Sequence, residues 1–113
     1  MTKVKTEDKA GVTVLRIEGN LTAADVLQIE PEFKASAYVP GRRLVIDLSK
    51  VEMLATPAIT MFMGAMMFQR NNNGRVIFTG TEGAIDKLLR ICRLDLIMTI
   101  VHGTDAAVAQ AGR

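Results

Sequence analysis

Leu44-Val45-Ile46-Asp47-Leu48-Ser49-Lys50-Val51-Glu52-Met53-Leu54-Ala55-Thr56-Pro57-Ala58-Ile59 is the part of this chain from which the rest can be read. Leu44-Val45-Ile46 is a short continuous apolar run, which suits a central strand covered on both faces. A strand is therefore expected from Arg42 to Leu48. Pro57 fits the first position of a helix, where its missing N–H costs nothing. Thr56 before it is the expected N-cap, its hydroxyl accepting from a free amide of the first turn. The helix should run from about Pro57 to Arg70. It should stop at Asn71-Asn72-Asn73-Gly74, with Gly74 free to take the left-handed conformation.

Toward the N-terminus, Lys3 to Glu7 reads as an edge strand and Asp8-Lys9-Ala10-Gly11 as a turn. Val12 to Ile17 reads as the second arm of a hairpin, with Thr13, Leu15 and Ile17 on its core face. Gly19 should end it. Thr22 is placed to cap a helix carrying Val26, Ile29 and Phe33 on one face. Pro31 lies inside this helix and leaves open a kink or two shorter pieces. Pro40-Gly41 is a turn. Toward the C-terminus come a strand over Arg75-Val76-Ile77-Phe78 and a helix from a Thr81 cap through Ile91, with Ile85, Leu88 and Leu89 inward. A last strand from Leu96 to Val101 and a short helix opening at Thr104-Asp105 follow. The order β-β-α-β-α-β-α-β-α implies an α/β layer with helices on a mixed sheet. The chain has 113 residues and neither repeat nor linker, so a single domain over 1–113 is expected.

Composition narrows the chemistry. A 49% hydrophobic content supports a packed core. One Cys excludes an intramolecular disulfide, and one His leaves too few ligands for a His-rich site, so neither metal nor cofactor is expected. Cys92, inside an apolar run, is expected as a small buried thiol. Fourteen Lys+Arg against 12 Asp+Glu give a net charge of +2. The longest basic run is the pair Arg42-Arg43, so nucleic acid is not expected as a partner. The apolar stretch from Ala58 to Phe68 falls short of the ~20 residues that span a bilayer. The start Met1-Thr2-Lys3-Val4-Lys5 has no apolar segment after it. A cytoplasmic protein without membrane insertion is expected.

The helix after Thr56 is apolar on two sides. Ile59, Phe62, Met63, Met66 and Met67 cluster on one, which is expected to be the core. Met61, Ala65 and Phe68 form a second stripe nearly opposite. Either neighbouring elements of the same chain or another protein must cover it. Four of the seven Met residues lie between positions 61 and 67, and methionine adapts to irregular partner surfaces. The stripe is thus a candidate contact, with another protein or with a second copy in a homodimer. Thr56 is either a plain cap or a modification site. A helix N-terminus stabilises negative charge, so a phosphoryl group there is tolerated. Asp25, Asp47, Glu52 and His102 read as structural or solvated. Gly80-Thr81-Glu82-Gly83 lacks the spacing of a phosphate loop. No nucleophile, base and orienting group come together, so no catalytic residues and no enzyme activity are expected.

Three blocks then carry a family resemblance: Val14-Leu15-Arg16-Ile17-Glu18-Gly19-Asn20-Leu21, Arg43-Leu44-Val45-Ile46-Asp47-Leu48-Ser49-Lys50-Val51, and Gly74-Arg75-Val76-Ile77-Phe78. The stretch from Ile85 through Leu94-Asp95 also fits. The chain resembles a STAS domain, and within that group a stand-alone bacterial anti-sigma-factor antagonist. The resemblance implies a single STAS-like domain with a mixed four- to five-stranded sheet and about four helices. It implies a partner-switching role in transcription regulation, with an anti-sigma factor that is also a serine-threonine kinase as the partner. In the family the loop before the second long helix usually reads Asp-Ser-Ser/Thr-Gly, and its first Ser is the phosphoacceptor. The corresponding residues here are Ala55, Thr56, Pro57 and Ala58, which puts Thr56 at the phosphoacceptor position. Ala55 stands in place of the family's Asp, and Ala58 in place of its Gly. Ala55, Thr56, Pro57 and Ala58, with Met61, Ala65 and Phe68, are the implied partner-binding residues. The altered loop also suits a second role, as a non-phosphorylated STAS subunit of a larger assembly such as a lipid-transport ATPase or a stress-signalling scaffold.

Overall fold

The computed structural model describes residues 2–113. Strands β1 (Lys3–Lys9) and β2 (Val12–Leu21) form an antiparallel hairpin. Its two-residue turn has Ala10 at φ 52° and Gly11 at φ 79°, as a primed turn that matches strand twist requires. Strand β3 (Arg43–Leu54) pairs parallel to β2, and β4 (Arg75–Thr79) parallel to β3, giving the order β1-β2-β3-β4. Helices α1 (Ala23–Ala37) and α2 (Thr56–Asn71) are the two crossovers. Right-handed crossovers that step in one direction place both helices on one face. Helix α3 (Gly83–Ile91) joins them there, and α4 (Thr104–Ala111) takes the other face.

The larger core lies between the sheet and α1, α2 and α3. Leu15, Ile17, Leu44, Ile46 and Phe78 meet Phe33, Phe62 and Leu89. The Phe62 ring sits between Phe33 and Phe78, at centroid distances of 5.8 and 5.6 Å. The smaller core sets Val12, Val14, Val45 and Ile77 against Ala107 and Ala111 of α4. Both faces of β2 are therefore buried at its start, whereas only its odd positions were expected to face a core. Arg43 and Arg75 are register partners on the α4 side. Their Nη1 atoms donate to the carbonyls of Gly112 (2.6 Å) and Gln110 (2.8 Å), which satisfies the open end of α4.

Several local expectations are corrected. β2 continues through Gly19, at φ 110°, and β3 runs on to Leu54, with register shifts absorbing the mismatch. Helix α1 is continuous through Pro31, which is exposed. The bond it removes would have reached the carbonyl of Leu27, on a turn open to water. Thr22 is the N-cap as expected, and Asp25 closes a full capping box with it. Asn73, at φ 62°, takes the left-handed position after α2. Gly74 serves close approach instead, since a Cβ there would lie 2.6 Å from the Arg42 carbonyl oxygen. Glu82, not Thr81, is the N-cap of α3, and Thr81 is buried. Cys92 is exposed, because it is the C-cap of α3 and the chain turns away before its side chain reaches the core. Leu96 to Val101 is no full strand. A 3-10 turn occupies Leu94–Leu96, Met98 N–H still bonds back to the Leu94 carbonyl, and only Ile100 bridges to Phe78. The sheet therefore has four strands.

Candidate functional site

The α2 start is built from the end of β3. Ala55 is extended (φ −87°, ψ 161°), and its N–H donates to the Leu21 carbonyl at the end of β2 (2.8 Å). That bond fixes where the helix begins. Ala55 is the N-cap and offers no side-chain cap, so Thr56 is the first helical residue and Pro57 the second. The expectation of Thr56 as cap is thus off by one position: the extended ψ at Ala55 marks the boundary one residue earlier. Thr56 and Pro57 are both exposed. Thr56 takes part in a side-chain hydrogen bond only through its carbonyl, which accepts from Thr60 Oγ1 (3.2 Å). Among the described residues its own hydroxyl is left to solvent.

Thr56 stands at one end of a groove of about 650 Å³ between α1 and α2. Val26, Leu27, Tyr38, Pro57, Thr60, Met61 and Gly64 help to line it. Its lining is mostly apolar, and Leu27 is 75% exposed within it. A Glu30–Lys34 ion pair (3.5 Å) borders it, both partners being substantially exposed, so it adds little to stability. At the far end Tyr38 stacks on Phe68 with centroids 4.8 Å apart.

Of the seven residues that the sequence assigned to partner contact, Ala55, Thr56 and Pro57 lie together at the surface. Ala58, Met61 and Ala65 are buried in the chain's own core, and Phe68 is half-buried against Tyr38. The inward face of α2 is Ala58, Met61, Phe62, Ala65 and Gln69. Met61, Ala65 and Phe68 therefore form no open stripe. Of the side taken for core, Phe62 alone is fully buried. Ile59, Met63 and Met66 are half-buried, and Met67 is 61% exposed. The two faces were misplaced by roughly one residue, about 100° of helix rotation. Counting bulky side chains gives alanine and glutamine little weight, yet alanine lets the helix approach the sheet. Leu27 and Thr60 were missed as groove residues. Leu27 lies just outside the Val26-Ile29-Phe33 face, and a large apolar residue there was the available signal.

Gln69 was also missed. It is fully buried and ties three elements together. Its Nε2 donates to the carbonyls of Ala37 (2.7 Å) and Val39 (2.8 Å), and its Oε1 accepts from Arg42 N–H (3.0 Å). It holds the end of α1 against α2 and so sets the walls of the groove. Away from the groove, Asp47 is buried within β3. Its carboxylate accepts from Ser49 N–H (2.9 Å) and lies 3.5 Å from both Arg16 Nε and Thr104 Oγ1. Two carboxyls titrate low. A Lys5 hydrogen bond and charge hold Glu18 down, and the Thr22 hydroxyl holds Asp25 down. Among the described residues no three His, Cys, Asp or Glu side chains are grouped to hold a metal, and no helix is long and apolar enough to cross a membrane.

A mixed sheet with two crossover helices and a third on one face, and a single helix on the other, defines an α/β domain whose exposed helix start meets an interhelical groove. The chain belongs to the STAS domain family, whose model matches residues 3–111. No curated protein matches it. Solved structures share its fold at low identity. An anti-sigma-factor antagonist (STAS) domain protein from Planctomyces limnophilus has a TM-score of 0.82 at 19% identity, covering 98% of each chain. An anti-sigma factor antagonist from Mycobacterium paratuberculosis has 0.83 at 22%, covering 100% of this chain and 96% of that one. The Bacillus cell fate determinant SpoIIAA in its phosphorylated form has 0.71 at 16%, covering 98% of this chain and all of that one.

Proposed function

We propose that this protein is a non-enzymatic, cytoplasmic anti-sigma-factor antagonist. It docks an anti-sigma factor that is also a serine-threonine kinase through the start of α2 and the adjoining groove, and phosphorylation of Thr56 releases it. The observation that carries this reading is the exposed start of α2, where the Thr56 hydroxyl is left to solvent at the mouth of an apolar groove. Support comes from the similar structures named as anti-sigma-factor antagonists, SpoIIAA in its unphosphorylated form among them, and from the structure of SpoIIAA in its phosphorylated form. A phosphate adds about −1.5 to −2 charge at neutral pH. Against a packed partner surface that charge loses its water, at a cost on the order of several kcal/mol unless it is paired. Binding is lost without refolding.

The test has two arms. Incubation with the source cell's serine-threonine kinases and ATP should add one phosphate to the wild type and none to Thr56→Val. Thr56→Glu should bind the partner kinase about a hundredfold more weakly than wild type, equivalent to ~2.7 kcal/mol. Equal affinity of the two proteins defeats the switch. Ala55 and Ala58 favour one other reading, because they replace the family's Asp and Gly. In that reading the chain is a non-phosphorylated subunit of a larger assembly, such as a lipid-transport ATPase or a stress-signalling scaffold. Co-purification with that assembly, unchanged in Thr56→Val and without phosphate on the native protein, would select it.

A further inference from the structure

Helix α4 is held to the sheet differently from the other three. Helices α1, α2 and α3 each bury large apolar side chains, Phe33, Phe62 and Leu89 among them. Of α4 only Ala107 and Ala111 are buried, with Val108 half-buried beside them. Alanine brings a single methyl group to a core, so the apolar gain from docking α4 lies mainly in what it covers. That is Val12, Val14, Val45 and Ile77, each at most 1% exposed. With eight residues, α4 is too short to persist as a free helix. Its N-cap, Gly103 at φ 95°, makes no side-chain cap, and Thr104 Oγ1 reaches Asp47 only at a long 3.5 Å. The other end is better held. Arg43 and Arg75 donate to the Gly112 and Gln110 carbonyls. These arginines are register partners on neighbouring strands, where like charges repel. The carbonyl end of α4 carries partial negative charge and relieves that repulsion. Upstream, Phe78 N–H donates to the Thr99 carbonyl (2.8 Å) and its carbonyl accepts from Val101 N–H (2.9 Å), which staples the chain to β4. Between that staple and α4 lie His102 and Gly103, both exposed.

We infer that α4 is a latch: it opens as one unit about His102 and Gly103 while the sheet and α1 to α3 stay folded, and the Arg43–Arg75 pair holds it shut. A helix at a chain end ordinarily frays inward from its terminus. Here the terminus is the anchored end, so the two carbonyl bonds break before α4 is released. The thin alanine interface then gives way with them. Opening returns conformational entropy to the whole segment and restores the repulsion between the arginines only in the open state. Against it stands the loss of cover over Val12, Val14, Val45 and Ile77, which is what keeps the closed form dominant. The face uncovered is a strip of branched apolar side chains on three strands. It lies on the side of the sheet away from α2 and Thr56, so the latch stands or falls apart from the phosphorylation reading.

Native-state hydrogen exchange of the full chain, followed by NMR at low urea concentrations, tests it. The amides of Ala107 to Gly112 should share one opening equilibrium and exchange at least about a hundredfold faster than those of Val45 and Ile46 in the central strand. Their urea dependence should be smaller than that of global unfolding, because less surface is exposed. Two variants separate the latch from the rest of the core. Arg43→Met with Arg75→Met alters exposed side chains and should speed exchange throughout α4 by about tenfold. Ile29→Val, in the core beneath α1, should speed the central strand and leave α4 unchanged. Exchange of α4 at the rate of the central strand would overturn the inference, since α4 would then open only with the whole protein. So would protection that rises stepwise inward from Gly112, which is fraying. An arginine double variant whose α4 amides exchange as in wild type, or an Ile29→Val protein in which α4 and the central strand quicken equally, would overturn it as well. The wild-type pattern decides the matter even where a variant fails to fold.

Discussion

Replacing Gln69 by leucine should loosen the two walls of the Thr56 groove. The side chain is fully buried and makes three hydrogen bonds, to Ala37, Val39 and Arg42. The partners differ in what they lose. Ala37 is fully buried, so its carbonyl finds no water, at a cost of about 1–3 kcal/mol. Val39 is exposed and Arg42 half-buried, so their groups rehydrate in part, at about 0.5–1 kcal/mol each. Leucine is close in volume and recovers a fraction through apolar burial. The net expectation is a loss of about 2–3 kcal/mol, or roughly 8–12 °C in Tm for a domain of this size. Urea unfolding at neutral pH measures it, with the m-value held as a check on two-state behaviour. Gln69→Glu should be worse than leucine, since a carboxylate would face two carbonyl oxygens. A loss below about 1 kcal/mol for Gln69→Leu, or a Gln69→Glu protein as stable as wild type, would show that the α1–α2 junction is held by something else.

Two further outcomes follow from local geometry. Asp25 and Glu18 have folded pKa values below their unfolded ones, so their ionised forms add stability above the unfolded carboxyl pKa, and that contribution is lost as pH falls through the folded value. Thr22→Ala removes the N-cap of α1 and should cost about 1 kcal/mol; it also removes the main cause of the lowered Asp25 pKa, so the urea midpoint should fall less steeply as pH drops below the unfolded carboxyl pKa, and a parallel fall in both proteins would contradict the capping box. Gly80→Ala should destabilise by about 2–4 kcal/mol in the same assay, because Gly80 sits at φ 76° and a Cβ there would lie 2.5 Å from the Ser49 nitrogen, a backbone atom that no rotamer change can move; a stability within ~0.5 kcal/mol of wild type would refute that reading.

The elements visible in the sequence were those in which side-chain type and backbone demand agree. Leu44-Val45-Ile46 is apolar throughout because α2 packs one face of β3 and α4 the other. Thr22 announces α1 because its hydroxyl caps the helix. What stayed hidden was set by tertiary partners. The extra length of β2 and β3 comes from pairing across shifted registers, which no local apolar run records. Leu96 to Val101 has strand composition, but Arg93 at φ 57° and the Met98–Leu94 bond keep the chain coiled until it meets Phe78. The phase of α2 was obscured because its core face is built on Ala58, Ala65 and Gln69, residues whose value lies in close approach and buried hydrogen bonding. Thr56 could be singled out from its place before Pro57. The groove beside it could not, because it exists only once α1 and α2 pack side by side.

The local backbone also indicates where a phosphate on Thr56 would act. A helix start stabilises an anion mainly through its free amides. Here Pro57 has none, and the N–H groups of Ala58 and Ile59 both reach the Ala55 carbonyl, at 3.0 and 3.4 Å. Thr56's own amide is what remains of the first turn. The free protein thus offers the modified residue a weak cradle, and the exposed position lets water solvate the charge. Little energy is then available to shift α2, whose inward face is locked by Phe62 and Gln69. The differential free energy needed for a switch has to arise in the complex, where the same water is displaced. A phosphate there would thus sit at the surface of an unchanged fold, and a partner, not this chain, would have to supply the discrimination.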